Sequence, residues 1–357
     1  MAGTGSNTMA SPSVLEVSSR QLVNDLHEPR SIVFWSDMLA SAALGWIAFL
    51  VAVFTPRSSP TVFLAIVVCG FAFYRGLCFT HELTHLRRGA LVGFETVWNC
   101  LLGVPLLLPT FTYLGVHQSH HHPSTYGTSS DPEYLPFATS RRLIFVFAVQ
   151  SALLLPVLLA IRFLILSPPA LLWPRFHRWL ERHASSFAMN PAYRRVVSPA
   201  MSRKMRRWES AVLVLWAALG AGLYYRIVPT RLPVIWYAVL AIVSFLNTLR
   251  VLGAHDYESD GTPRDRYGQL ADSIDTPGGP WTELWAPVGL RYHALHHYFP
   301  GIPYHNLGVA YRRLTVFLPG DSVYYASTNP SLRWSLKVLY QKAKRAATRS
   351  ERRDALR

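Results

Sequence analysis

Hydrophobic and charged residues are segregated along this chain. Uncharged runs cover residues 38–56, 58–74, 96–116, 143–161, 210–225 and 232–249. Several come close to the ~20 residues that a helix needs to cross a bilayer. A soluble chain of 357 residues would instead break its apolar stretches with charge throughout. The pattern predicts an all-α integral membrane protein. Spans over 36–55 and 60–80 form one hairpin around the turn PRSSP, and spans over 209–228 and 232–252 form a second around RIVPTR.

Two apolar runs remain. The run 96–116 has histidines on both sides, and a full crossing would part them between two faces of the membrane. Pro105 and Pro109 interrupt it, as suits a re-entrant or interfacial segment covered by protein. The run 143–174 contains Pro156, Arg162, Pro168, Pro169 and Pro174, and it must return to its starting side because a strongly basic stretch follows. The expected fold has four transmembrane helices plus re-entrant or interfacial helices, with a cytoplasmic cap carrying the histidines. Residues 31–325 form this membrane domain, residues 1–30 a disordered polar lead-in, and residues 326–357 a basic amphipathic tail.

Hydrophobic residues make up 50% of the sequence and charged residues 15%, yet the net charge is +15. So basic a chain invites a nucleic-acid reading, but position argues against it. Nine of the 35 Lys and Arg fall between Arg175 and Arg207, and fourteen after His255. Cations beside apolar runs gather on the cytoplasmic side of membrane proteins, so no nucleic-acid partner is expected. The tail from Arg333 to Arg353 interleaves Trp334, Leu336, Leu339 and Tyr340 with basic residues, as a helix lying on an anionic membrane surface does. Cys69, Cys78 and Cys100 form no CxxC pair and read as small core residues.

The histidines are grouped. His81 and His85 stand four apart in HELTH, His117, His120 and His121 form HxxHH in HQSHH, and His293, His296 and His297 repeat it in HALHH. On a helix, positions i, i+3 and i+4 share about 100° of arc, so each trio is expected to face one point and His122 to point away. Boxes of this spacing at the ends of apolar segments indicate metal binding. His255, just past the fourth span, can join from that side. Nine imidazoles are too many for one ion, so two metals with open positions are expected. Ligand type alone does not distinguish zinc, copper, iron and nickel. His27, His177 and His183 read as exposed polar residues, Asp131 and Glu133 as a plain turn, and Arg75 and Arg162 as cations snorkelling to head groups.

HELTH also fits the HExxH pattern of zinc proteases, with Glu82 as general base, but that reading leaves both HxxHH boxes idle. Glu82-x-x-His85 fits the soluble di-iron carboxylate bundles, which need a second such pair that the chain lacks. Glu82 is better suited to accept a hydrogen bond from a ligand N–H. A metal transporter would place histidines within spans or in low-complexity loops.

HELTHLRRGAL, GVHQSHH with His117 32 positions after His85, and RYHALHHYFPGIPYHNL together resemble the membrane-bound fatty acid desaturases, part of the histidine-box di-iron desaturases and hydroxylases. TYGTSSDPEYLPF after the second box and TELWAPVGL before the third resemble that family too, and the likeness spans roughly residues 70–340. It implies two non-haem irons held by His81, His85, His117, His120, His121, His293, His296 and His297, with His255 as an additional ligand and dioxygen as co-substrate. Some members carry an asparagine four residues before that additional histidine. Val251 stands there in this chain, and Asn247 lies eight before. Glu82, Asn247 and His305 are the expected supports around the ligands, although His305 also suits a loop hydrogen bond.

The activity implied is desaturation of a fatty acyl chain carried on a lipid, CoA or a carrier. No acid or base in the chain can break an unactivated methylene C–H bond, whereas a reduced di-iron centre with dioxygen can. Loss of a second, neighbouring hydrogen gives an alkene. Return of a hydroxyl gives an alcohol, which makes a lipid or carotenoid hydroxylase or ketolase the alternative. The His-Pro-Gly-Gly signature of a fused cytochrome is absent, since DTPGG lacks the histidine. A separate donor is expected, a ferredoxin or a b-type cytochrome with its reductase. The boxes and both termini are expected to face the cytoplasm.

Overall fold

The computed structural model describes residues 19–354 except 88 and 321, so most of the expected disordered lead-in lies outside the described residues. Among these there is no strand, only isolated β-bridges such as His255 to Ser273 and Asp275 to Tyr292. The helices used below are α1 (Ser31–Phe54), α2 (Pro60–His85), α3 (Val116–His121), α4 (Arg141–Leu172), α5 (Pro174–His183), α6 (Pro199–Tyr224), α7 (Leu232–Ala254), α8 (Arg266–Asp272), α9 (His293–Tyr298), α10 (Tyr304–Phe317) and α11 (Leu332–Asp354).

Helices α1 and α2 form the first expected hairpin and pack with α7 around the main apolar core. Pro60 opens α2 where a missing N–H costs nothing, and Ser59 Oγ accepts from Thr61 N–H at 3.3 Å. A Cβ on Gly45 would sit 2.3 Å from the Phe73 ring, and one on Gly70 2.5 Å from Ile242. Glycine therefore sets how closely α1 and α7 approach α2. At the far end, Arg231 donates to Thr55 O at 2.5 Å, so the two hairpin turns meet away from the histidines.

Among the described residues, four helices are long and apolar enough to cross a membrane: α1, α2, α4 and α7. Four is the expected number, and α4, expected to return to its starting side, is among them by this measure, while the expected span 209–228 falls on a helix too short in apolar length to meet it. That run is the distal part of α6, whose proximal half carries Arg203, Lys204, Arg206 and Arg207. In α4, π turns at Gln150–Leu154 and Ile161–Leu166 end just before Pro156 and Pro168, and their widened backbone absorbs prolines that would otherwise break the helix. Phe145, Leu153, Leu154, Leu158 and Ile165 on α4 are exposed, as on a lipid-facing helix. Its contacts still bring it back toward the histidine-bearing end. Arg141 lies over the Tyr340 ring and Arg162 donates to Ala184 O, while Leu153 O accepts from Tyr237 Oη near the start of α7.

The run 96–116 makes no spanning helix. It is largely buried and irregular, and tryptophans from the surrounding helices satisfy its carbonyls. Trp46 Nε1 donates to Leu101 O at 2.8 Å, Trp236 Nε1 to Pro105 O at 3.1 Å and Trp216 Nε1 to Val104 O at 3.4 Å. Asn99 Oδ1 accepts from Thr110 N–H at 2.8 Å. Irregular backbone beside apolar spans survives only where protein supplies its partners.

Two expectations about charge need correction. Arg75 and Arg162 do not snorkel: Arg75 is held by Asp37 at 2.6 Å and Glu283 at 3.1 Å, and Arg162 is buried against Ser167 at 2.6 Å and Glu209. His177 is not exposed but buried, between Glu209 at 3.1 Å and Glu181 at 3.2 Å. The expected basic tail forms helix α11, one side of which is docked on the protein. Leu336 and Leu339 pack against the cluster of Tyr126, Tyr134 and Tyr257, and Lys342 reaches Asp256 at 2.8 Å, while Trp334 and Tyr340 stay exposed.

Candidate metal centre

The boxes converge at the ends of α2 and α7. His81 and His85 occupy the last turns of α2. Gly115, at φ 83°, lets the chain turn sharply into α3, and Gln118 Nε2 then donates to Thr84 O at 2.5 Å, fixing the second box on the first. Asp275 accepts from Leu295 N–H at 3.1 Å and from Tyr324 Oη at 2.7 Å, which holds α9 and the third box in place. His255 follows α7 directly, its strand-like backbone bridged to Ser273.

Nine histidines resolve into two groups. One contains His81, His85, His117, His121 and His296, the other His120, His255, His293 and His297, and in each the candidate ligand atoms lie within 4.8 Å of one another. Each HxxHH trio therefore straddles two points instead of facing one. In both boxes the i and i+4 residues share a group while the i+3 residue turns to the other, because an arc of about 100° is wide enough to aim at two centres.

The geometry fits metal binding. His117 and His121 Nε2 are 3.0 Å apart, His121 and His296 Nε2 3.2 Å, His255 and His293 Nε2 2.9 Å, and His293 and His297 Nε2 3.2 Å. Nitrogens at right angles on one ion, with bonds of ~2.1 Å, lie about 3 Å apart. His81 Nε2 and His85 Nε2 are buried without any hydrogen-bond partner. Burial pushes His117, His121, His255, His293, His296 and His297 well below the ordinary histidine value, and neighbouring imidazoles add to it. All six stay neutral, as ligands must be.

The outer nitrogens are held by Asp131 and Glu133, expected only as a plain turn, and by Tyr126 and Gln269. Glu133 Oε1 lies 2.9 Å from His117 Nδ1 and also receives Tyr113 Oη on its other oxygen at 2.9 Å. Asp131, completely buried, lies 2.9 Å from His120 Nδ1 and accepts the N–H groups of Gly127 at 2.7 Å and Glu133 at 2.9 Å. The expected plain turn thus does two jobs. Tyr126 Oη links His255 Nδ1 at 3.0 Å to Asp272 at 2.9 Å, and Gln269 Oε1 faces His297 Nδ1 at 3.4 Å. Such partners fix the tautomer and turn the Nε2 lone pair inward. Against the penalty of its burial, Asp131 raises His120, the exception among the nine, and burial also raises Glu133.

The three expected supports differ. Glu82 lies 3.4 Å from His81 Nδ1 and accepts from Tyr304 N–H at 2.8 Å, so it touches a candidate ligand. Asn247 bonds Arg250 and lines a cavity together with His81. His305 stands apart: its Nε2 accepts from Arg30 N–H at 3.0 Å and its Nδ1 meets Asn306 at 2.9 Å, which is the loop role. His122 is exposed, as expected.

A cavity leads to the first group. Its inner chamber, about 80 Å³, is lined by His81, Tyr113, Leu77, Leu108, Val243 and Asn247 among others. A wider chamber of about 410 Å³, lined by Leu155, Leu158, Leu159, Ile161 and Phe163 of α4, adjoins it through shared residues that include Thr112, Tyr113, Leu155 and Asn247.

Comparison with known proteins agrees with this architecture. The fatty acid desaturase family model matches residues 57–329. A ceramide hydroxylase of Caulobacter vibrioides (strain NA1000 / CB15N) is 38% identical over 339 residues, covering 94% of this chain and 95% of that protein. No solved structure matches the chain. The chain belongs to the fatty acid desaturase family, and is thus a membrane-associated oxidoreductase of lipid metabolism.

Proposed function

We propose that this protein hydroxylates a methylene of a ceramide-type lipid, using two irons held by its nine clustered histidines and dioxygen as co-substrate. The observation that carries this reading is the near full-length likeness to a protein named ceramide hydroxylase. It shifts the balance from the desaturation that the boxes first implied, because box spacing serves both outcomes. An intramembrane zinc protease fits poorly, since Glu82 is engaged by His81 and Tyr304 and all three boxes lie in one cluster.

Two irons with dioxygen supply the oxidant that an unactivated C–H bond requires and that no side chain here provides. The chain's own residues prepare the site. Asp131, Glu133 and the Tyr126–Asp272 pair hold protons on Nδ1, so that the imidazoles present Nε2 inward. The packed walls around His117, His120, His293 and His297 exclude water. The apolar chambers guide an alkyl chain to His81. The overall conversion consumes one dioxygen, two electrons and two protons and yields an alcohol and water. The electrons come from a separate ferredoxin or b-type cytochrome system, received at a multi-pass enzyme whose histidine end faces the cytoplasm.

Lipid analysis of a host expressing the chain tests the reading. A gain of one oxygen in the ceramide fraction is expected. Loss of two hydrogens without oxygen would restore desaturation, and an unchanged lipid profile with every donor present would remove both.

A further inference from the structure

Arg250 is a cation with no task in metal binding. It lies in α7, four residues before the end of a helix long and apolar enough to cross a membrane, and only 9% of it is exposed. Its Nη2 makes a long bond to Asn247 Oδ1 at 3.3 Å, and its Nε is buried without a partner. Among the described residues no carboxylate closes an ion pair with it. Glu133, which lines the same outer chamber, is already committed to His117 and Tyr113. Tyr74, Tyr113 and Glu133 stand near it, yet a buried guanidinium with no closed ion pair is costly, and cations so placed often mark a substrate path. Arg250, Asn247 and Ser244 line both chambers, and Ser186, whose Oγ is also buried without a partner, lines the outer one.

The position of this polar patch carries information. Arg250 and His81 face the same inner chamber of about 80 Å³, whereas the roomier apolar chamber lies on the side away from His81. An extended alkyl chain needs no cation, but the amide carbonyl and neighbouring hydroxyl of a ceramide offer acceptors that a guanidinium binds strongly. We propose that Arg250, supported by Asn247 and Ser244, binds the acceptor oxygens at the polar end of the lipid. The carbon presented at the histidines then lies within a few bonds of the amide, and the rest of the chain extends along α4. This assignment rests on the hydroxylase reading for the reaction but not for the binding.

The test has two arms. In the first, the full-length protein in nanodiscs is titrated with a saturated N-palmitoyl ceramide, with palmitate and with hexadecane, followed by tryptophan fluorescence. The ceramide is expected to bind more tightly than hexadecane. Arg250→Met is expected to weaken ceramide binding by about 10–100-fold, the loss of a charge-assisted hydrogen bond, and to leave hexadecane unchanged. Arg250→Lys should fall between. Unchanged ceramide binding by an Arg250→Met protein of wild-type unfolding temperature would overturn the proposal, as would palmitate binding more tightly than ceramide, which assigns the site to a free carboxylate. Should the variant not fold, the wild-type preference for ceramide over hexadecane decides this arm. In the second arm, the hydroxyl is located on the wild-type product by fragmentation mass spectrometry. A hydroxyl near the amide supports the proposal, and one in mid-chain overturns it. Absence of hydroxylated product, with ceramide binding intact and dependent on Arg250, would defeat the hydroxylase reading and leave the polar-end site standing.

Discussion

The two histidine groups draw on the same boxes but sit in different surroundings. The group of five is partly open. His85 and His121 are only half-buried, and His81 forms part of a cavity wall. The group of four is sealed, with His120, His255, His293 and His297 all buried and with Asp131, Tyr126, Asp272 and Gln269 behind them. The open group can meet a lipid chain, while the closed one has the more elaborate polar support. On the proposed reading, each holds one iron and the two act on a single dioxygen, so neither group is spare. An HxxHH box puts three imidazoles on about one helical turn, two aimed at one centre and the third at the other.

Removing one ligand from each group tests this division most severely. His296→Ala in the open group and His120→Ala in the closed group are each expected to reduce hydroxylation at least ~1,000-fold, because one nitrogen that would hold a metal is lost. Full activity in either variant would break the claim that both groups are needed.

Next come the residues behind the ligands. Asp131→Asn and Glu133→Gln keep the shape but weaken the charge on Nδ1–H, and each is expected to lower iron affinity or turnover by about 10–100-fold. Asp131→Asn should cost more, since that carboxylate also holds two backbone N–H groups of the turn. Equal and negligible effects on iron retention would reduce both to turn residues.

A narrower cavity sharpens the comparison from the open side alone. Leu155 lines both chambers, so Leu155→Trp should raise KM for long-chain substrates by roughly 10-fold while iron content stays at the wild-type level. A fall in kcat with KM unchanged would place the substrate elsewhere.

Acid acts on both groups once the metals are removed. Burial holds six of the imidazoles below the ordinary value of about 6.5, so below that pH the unfolded chain binds protons that the folded chain refuses. The stability of the chelated protein should therefore fall as pH drops from about 7 to 5, and metal should restore much of it. A chelated protein that gains stability over that window would contradict the burial argument. The smallest effect belongs to His122→Ala, where activity and iron content should both remain within about twofold of wild type, since surface changes of this kind cost little.

Much of this was readable from residue order, and the remainder depended on distance in space. The boxes, His255 and the re-entrant character of 96–116 follow from local spacing and from prolines within apolar runs. Asp131 and Glu133 were visible as DPE ten residues past the second box but carried no sign of which nitrogens they would meet. The burial of His177 and Arg162 has no local signal, because their partner Glu209 lies 32 and 47 residues away. The continuity of α4 through Pro156 and Pro168 rests on π turns, which leave no mark in composition. The splitting of each trio between two centres was hidden because helical periodicity gives the width of a face and not the number of points it serves.

The central claim is that two separate metal points are built from three boxes and His255, and metal counting on purified protein tests it most directly. Wild-type protein is expected to carry about two irons per chain, and His120→Ala and His296→Ala about one each, lost from different groups. One zinc per chain, or an iron content untouched by either substitution, would contradict the account.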